Sequence, residues 1–326
     1  MSRHPNRRQT LAAGASLLLA GSRSVHAQND YPSKPIRVVV PFPAGTGLDV
    51  DSRFFTARIG AVLGQPIVIE NRPGAAGTIG TDYAAHQPAD GYTLYMGSTS
   101  ALSYIPLLYT RLNYKLSDFT AVSQLALLQG ALIAHPGVQA RNAAELVALS
   151  KAKPGSIRAA TQGVGSFSHM VGEWFVATTG ASIEFVPYNT SSPFASVMAG
   201  DTQLIFDALP ASMGNIAAGR LKALAITGPA RHPLLPETPT YREAGMPAFD
   251  PFTWFGLMAP TGTPQAFIDK VAAACAQVAR QPEAIERYKA LCGEPVGNTP
   301  AEWGAFIRTE QAKWAPVVQR TGIKLD

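Results

Sequence analysis

The apolar and polar positions alternate between two periods along most of the chain, short β-branched runs followed by segments with apolar residues at helical spacing. The first such unit is the clearest. Residues 36–40 (IRVVV) form an apolar β-branched run, residues 41–47 are punctuated by Pro and Gly, and from Leu48 onward Val50, Phe54 and Arg58 keep a helical spacing. This predicts strand, loop, helix. A turn of this kind leaves backbone N–H groups unpaired at the helix start and points them, with the positive end of the helix dipole, beyond the strand's carboxyl end. It suits an anion. Asp49 competes for those N–H groups as a cap, so the residue is either a cap or a ligand contact, and one loop accommodates both. After Gly45 and Gly47 the third glycine of a dinucleotide fingerprint is replaced by Val50, which excludes that reading.

The same alternation continues. Gly64 ends the helix, 66–70 is a second strand, and the glycine-rich turn 71–80 precedes a short helix at 81–86. A turn at Asp90 and Gly91 leads to a strand at 92–96, with Ser98 and Thr99 placing hydroxyls at its carboxyl end. Residues 122–128 and 131–135 form a long apolar passage interrupted by Gln129 and Gly130, which predicts a strand crossing into a second domain. There a new series begins, with a helix capped by Asn142 and Glu145, a strand at 157–160, and the loop 161–168 before a helix at 169–179. This loop, with Gly163, Gly165, Ser166, Ser168 and His169, mirrors the first. A strand at 183–187, the polar turn 188–192 with Tyr188 and Asn189, a helix at 193–199, a strand ending in Asp207, a helix to 218 and a strand at 221–227 follow.

The proline-rich segment 229–251 reads as an irregular connection with one short helix at 241–244, and 252–258 as the return crossing strand. Helices at 265–279, 283–291 and 300–320 close the chain, and Pro316 should kink or end the last one. The expected class is α/β: two lobes, each a mixed, mostly parallel sheet flanked by helices, with a ligand cleft between them at the strand ends. The boundaries are 28–128 plus 252–326 for the first lobe and 129–251 for the second.

Composition supports a large buried core, with 326 residues, 46% of them hydrophobic and 15% charged. Residues 1–27 read as an export signal: Arg3, Arg7 and Arg8 precede the apolar run 11–20, and cleavage falls after Ala27. Arg7 and Arg8 fit twin-arginine export as well as the general secretory route. Removing this segment takes away four arginines and no acidic residue, leaving 23 basic against 22 acidic side chains. That balance excludes a nucleic-acid or polybasic membrane surface. Cys275 and Cys292 lie close in sequence, so in an oxidising compartment they either form a disulfide, worth about 3 kcal/mol, or stay as two buried thiols.

The stretches YPSKPIRVVVPFPAGTGLD, GQPIVIENRPGAAGTIG, PADGYTLYMG, GVGSFSHMVGEWF, VPYNTSSPF, QLIFD, AAGRLKALAIT, LPETPTYREAGMP, WFGLMAPTGTP and TPAEWGAFI, in this order, resemble the tripartite tricarboxylate transporter receptors, also called Bug proteins. The resemblance runs from the mature N-terminus to the last residue. It implies a type II periplasmic-binding-protein fold, a periplasmic monomer that closes on a small organic anion and presents it to membrane transporter subunits, with no cofactor. It further implies that one ligand carboxylate is held by the loops 42–49 and 163–169, with Phe42, Ala44, Gly45, Thr46, Gly47 and Asp49 on one side and Tyr188, Asn189 and Asp207 on the other. Thr46 stands where the family usually has glycine, and Asn189-Thr190 where a Lys-Gly pair is frequent.

Two other readings bear on the same residues. A sensory or orphan binding protein would use the same pocket. A hydrolase or transferase needs a catalytic arrangement, and the chain has no G-x-S-x-G elbow, H-E-x-x-H pair or Walker loop. Ser166, Ser168, His169 and Asp207 are the only residues from which a Ser-His-Asp set could be drawn, although loop neighbours rarely have the geometry for it.

Overall fold

The computed structural model describes residues 31–188 and 192–325; the export segment expected at 1–27 lies outside them, as does Asn189. In the first lobe β1 (Ile36–Val40) leads through a loop to α1 (Gly47–Leu63), β2 (Ile67–Asn71), α2 (Thr78–Ala85) and β3 (Thr93–Ser98). β1 lies between β2 and β3, and both pairings are parallel. Gly64 closes α1 in the left-handed region at φ 72°, its N–H on the Gly60 carbonyl. Gly77 at φ 94° makes the turn into α2, which therefore starts at Thr78 rather than at 81. After β3 a π-helical turn, Ser100–Tyr104, and the short α3 (Ile105–Leu108) bring the chain to β4 (Phe119–Ala134).

β4 is one unbroken strand of 16 residues, the expected crossing strand, with Gln129 and Gly130 inside it. The second lobe follows: α4 (Ala143–Ala152), β5 (Arg158–Thr161), α5 (Phe167–Thr179), β6 (Glu184–Pro187), α6 (Pro193–Ala199), β7 (Leu204–Ala208), α7 (Met213–Ala217) and β8 (Lys222–Ile226). The chain returns along β9 (Phe252–Pro260) and ends in α8 (Gln265–Ala279), α9 (Pro282–Ala290), β10 (Gly293–Pro295) and α10 (Pro300–Thr321). Between 227 and 251 the expected helix is a single turn, held by reciprocal bonds between Thr240 and Glu243.

The sheet runs β2-β1-β3-β9-β4-β7-β5-β6, with β8 and β10 also on β4. Because the chain crosses between lobes in opposite directions, β4 and β9 pair antiparallel, whereas β5 pairs parallel with β6 and β7. The partner of β4 changes at one peptide. Gln129 is opposite Phe252 of β9, and Gly130 is opposite Ala208 of β7. Two lobes therefore hang on shared strands, each with its own core. Ile36, Val38, Phe55, Leu257 and Val271 fill the first, and Leu132, Ala159, Phe175 and Phe206 the second.

α10 contributes to the second core as well. Trp314 lies 5.3 Å from the Trp174 ring and 5.0 Å from Tyr104, and Val317 and Val318 join the same cluster. This packing carries the helix through Pro316 without ending it there, to Thr321, and Gly322 closes it at φ 64°. The two cysteines are both free and buried, so the disulfide does not form. The sulfurs sit in different surroundings: Cys275 is in the first-lobe core on α8, whereas Cys292 joins Ala131, Ile133 and Leu221 of the second lobe and faces His232 Nδ1 at 3.8 Å. Burial pushes the thiols up to about 12 and about 11.

Candidate functional site

A cleft of about 530 Å³ opens between the lobes beyond the carboxyl ends of β1, β3 and β7. The first loop supplies Phe42, Gly45, Thr46 and Gly47 to its wall. Gly45 takes φ 83°, and Thr46 sits at the helix start in extended conformation without capping it through its side chain. Its hydroxyl donates instead to the Pro43 carbonyl at 2.8 Å. The first-turn amides of α1 are therefore left without a side-chain cap from Thr46, facing the cleft with the helix dipole behind them.

Asp49 is buried and does not line the cleft. One carboxylate oxygen accepts from the Gly45 N–H and from Arg53 Nε, both at 2.9 Å, and the other accepts from Asn71 Nδ2 at 2.9 Å. Asn71 also donates to the Phe42 carbonyl at 3.0 Å, so the carboxylate braces the loop against β2. Burial alone would raise this carboxyl, but the bonds from Arg53, Gly45 and Asn71 outweigh it and hold it down at about 2. Asp49→Ala is expected to lower stability by about 2 kcal/mol, because a buried acceptor with three donors is lost; urea unfolding reads it, and an unchanged midpoint would show that the loop stands without its brace. Ala44 is exposed and outside the cleft wall.

Ser98, Thr99 and Ser100 line the cleft where β3 ends. Thr99 is pinned: its hydroxyl oxygen accepts from the Trp254 N–H at 2.8 Å and the hydroxyl donates to the Trp254 carbonyl at 3.1 Å. Trp254, on β9, is held from behind by its indole N–H on Glu310 Oε2 at 3.0 Å. Ser98 Oγ and Ser100 Oγ are 3.3 Å apart.

From the second-lobe loop only Phe167 reaches the wall. Ser166 caps α5, its oxygen accepting from the His169 N–H at 3.3 Å. Ser168 is buried and accepts from the Gln162 N–H at 2.9 Å. His169 Nδ1 accepts from the Gly165 N–H at 3.1 Å, which puts the ring proton on Nε2, 3.5 Å from Glu173. Gly163 (φ 112°) and Gly165 (φ 77°) make the turn itself, and Leu325 of the C-terminal tail covers Gly165. Tyr188 turns away, its hydroxyl 2.5 Å from Ser196 Oγ.

Asp207 is buried at the end of β7, behind the cleft residue Ala208. It accepts from Gln162 Nε2 at 3.0 Å and from the Ala208 N–H at 2.7 Å. Burial pushes its carboxyl up to about 6. Neither ring nitrogen of His169 bonds a serine hydroxyl, and Asp207 bonds neither His169 nor a serine. The residues that could have formed a Ser-His-Asp set are thus committed to holding a loop. Among the described residues no three of His, Cys, Asp and Glu are grouped to hold a metal ion.

The cleft also contains residues that the sequence did not point to. Arg287 on α9 places Nη2 3.1 Å from Asp51 Oδ1 on α1, and its guanidinium lies 4.6 Å from the Phe54 ring. Burial raises the Asp51 carboxyl in spite of that partner. Tyr104, Leu128, Phe255 and Leu291 complete the apolar part of the wall. The polarity of the Asp51 and Arg287 positions is visible in sequence, but nothing local brings residues 236 apart together.

A family model described as "Tripartite tricarboxylate transporter family receptor" matches residues 52–323. Protein BugT of Bordetella pertussis is 36% identical over 96% of this chain and 97% of its own length. Among solved structures, R. palustris Rpa4515 with adipate superposes with a TM-score of 0.81 at 31% identity, covering 90% of this chain and 99% of that one. MatC from Rhodopseudomonas palustris with bound malate gives 0.77 at 29% identity, with 88% and 100% covered.

Proposed function

The chain belongs to the tripartite tricarboxylate transporter receptor family, and on that premise we propose that it captures a small organic carboxylate between its lobes in the periplasm and delivers it to membrane transporter subunits. The observation that carries this reading is the N-terminus of α1, open at the cleft with its first-turn amides uncapped by the Thr46 side chain. A carboxylate there would be held by the first-turn amides of Gly47 and Leu48 and by the hydroxyls of Ser98 and Ser100, since the Gly45 N–H and the Thr46 hydroxyl are already bonded to Asp49 and Pro43. Asp49, Ser166, Ser168 and His169 would act through the backbone they fix. Residues 28–128 with 252–326 would move as one lobe and 129–251 as the other, bending where β4 changes partner.

The protein would act as a monomer, without a cofactor and without chemistry on its ligand. A thermal-shift screen of mono-, di- and tricarboxylates tests the reading. A ligand at a hundred times its dissociation constant should stabilise the fold by about 2.7 kcal/mol. A flat response across the panel, with uptake unaffected by deletion of the protein, would overturn it.

A further inference from the structure

The chemistry of the cleft wall selects among carboxylates. Phe42, Val50 and Trp254 from the first lobe and Phe167 and Pro210 from the second line the same cleft, and Phe42 and Phe167 are partly exposed, each in or beside the glycine-rich loop of its own lobe. The charged side chains among the described residues of the wall are Asp51 and Arg287, and these two neutralise each other. We propose that the ligand is a monocarboxylate with a bulky apolar body, aromatic or alicyclic, gripped between Phe42 and Phe167, rather than a polyanionic acid. This rests on the carboxylate-receptor reading above.

Three observations converge. The donors at the α1 start and the β3 end are uncharged and follow the carboxyl ends of the paired strands β1 and β3, which provides for one carboxylate. A second carboxylate farther in would lose its hydration against apolar side chains, and the one cation among the described residues of the wall already has a carboxylate at 3.1 Å. Malate and benzoate are of similar size, so the cleft's about 530 Å³ does not choose between them, but its wall does: a ring gains from burial against aromatic faces, where the hydroxyl and second carboxylate of a hydroxy acid lose their water.

Calorimetric titration of the purified protein with two sets of probes decides the matter: benzoate, cyclohexanecarboxylate and hexanoate against malate, adipate and citrate. The ring acids should bind at least about tenfold more tightly than malate and citrate. Phe167→Ala should weaken benzoate about tenfold while changing malate by no more than about twofold; because the ring also packs on the second-lobe core, circular dichroism of the free variant is used to show that it is folded. Tighter binding of malate, adipate or citrate than of any monocarboxylate would overturn the inference while leaving the carboxylate receptor standing. An unchanged benzoate affinity in Phe167→Ala would remove the grip. Failure of every acid in both sets would bring down this inference and the reading beneath it together.

Discussion

Gly130→Ala is expected to destabilise the protein by about 3 kcal/mol or to prevent its folding, because a side chain at this position has nowhere to go. A Cβ there would lie 2.1 Å from the Pro251 carbonyl oxygen and 3.3 Å from Thr227 Oγ1. The obstruction is backbone, and it is held in place from both sides. The Thr227 N–H and hydroxyl both donate to the Gly130 carbonyl, at 2.8 and 3.1 Å, and the Thr227 hydroxyl is 2.9 Å from the Pro251 oxygen as well. Relief would therefore need the two crossing strands to part at the point where β4 leaves β9 for β7. Urea unfolding of the variant checks the size of the effect. Gly214→Ala is the control, since a Cβ at Gly214 meets nothing within 4 Å and alanine favours the helix. Wild-type stability in Gly130→Ala would mean that the strands are not pressed together at the crossing.

That contact also shows what a sequence can and cannot convey. Gly130 is visible as a break in an apolar passage, at the peptide where β4 exchanges β9 for β7. Its physical cause, a carbonyl contributed from residue 251, is not local and leaves no signature near 130. The loops divide in the same way. Positions 41–47 and 161–168 are legible because Pro, Gly and a following helical period are backbone signals that act over a few residues. The direction of each side chain is not, because Asp49, Ser168 and His169 turn inward to amides that only the folded loop presents. A polar residue beside an anion-holding turn reads equally well as contact or brace until the turn is built.

The far wall of the cleft was illegible for a different reason. Arg287 and Leu291 come from α9 and its end, and Phe255 from the return strand, all far along the chain from α1. Periodicity assigns them to elements but not to neighbours. The cysteines make the same point in reverse: 17 residues apart in sequence, they belong to the cores of different lobes, since β10 carries the chain back onto β4 between α9 and α10.

The stability of the protein should fall by roughly 3 kcal/mol as the pH rises from below 3.8 to above 6, through Asp207 alone. The carboxyl is raised from 3.8 to about 6 by burial, which outweighs the bond from the Ala208 N–H that favours its charged form. In the unfolded chain it ionises first, so between these two values the unfolded state sheds its proton while the folded state keeps it. The stabilising contribution is thus complete below 3.8 and lost as the pH passes about 6. No cation among the described residues pairs with the ionised form; its surroundings are Gln162, the Ala208 amide and the Tyr104 phenol, the last raised in part by the Asp207 charge. Asp207→Asn cannot ionise, and it should lack this component of the pH dependence. It gives up one of the two accepted bonds, at a cost of about 1 kcal/mol, so it should be less stable than wild type near pH 4 and more stable above pH 7. Urea midpoints at the two pH values measure the crossing directly. Parallel curves for the two proteins would mean that Asp207 stays ionised in the folded state. In that case the end of β7 would hold a permanent negative charge behind Ala208, at the place where an incoming carboxylate is least able to tolerate one.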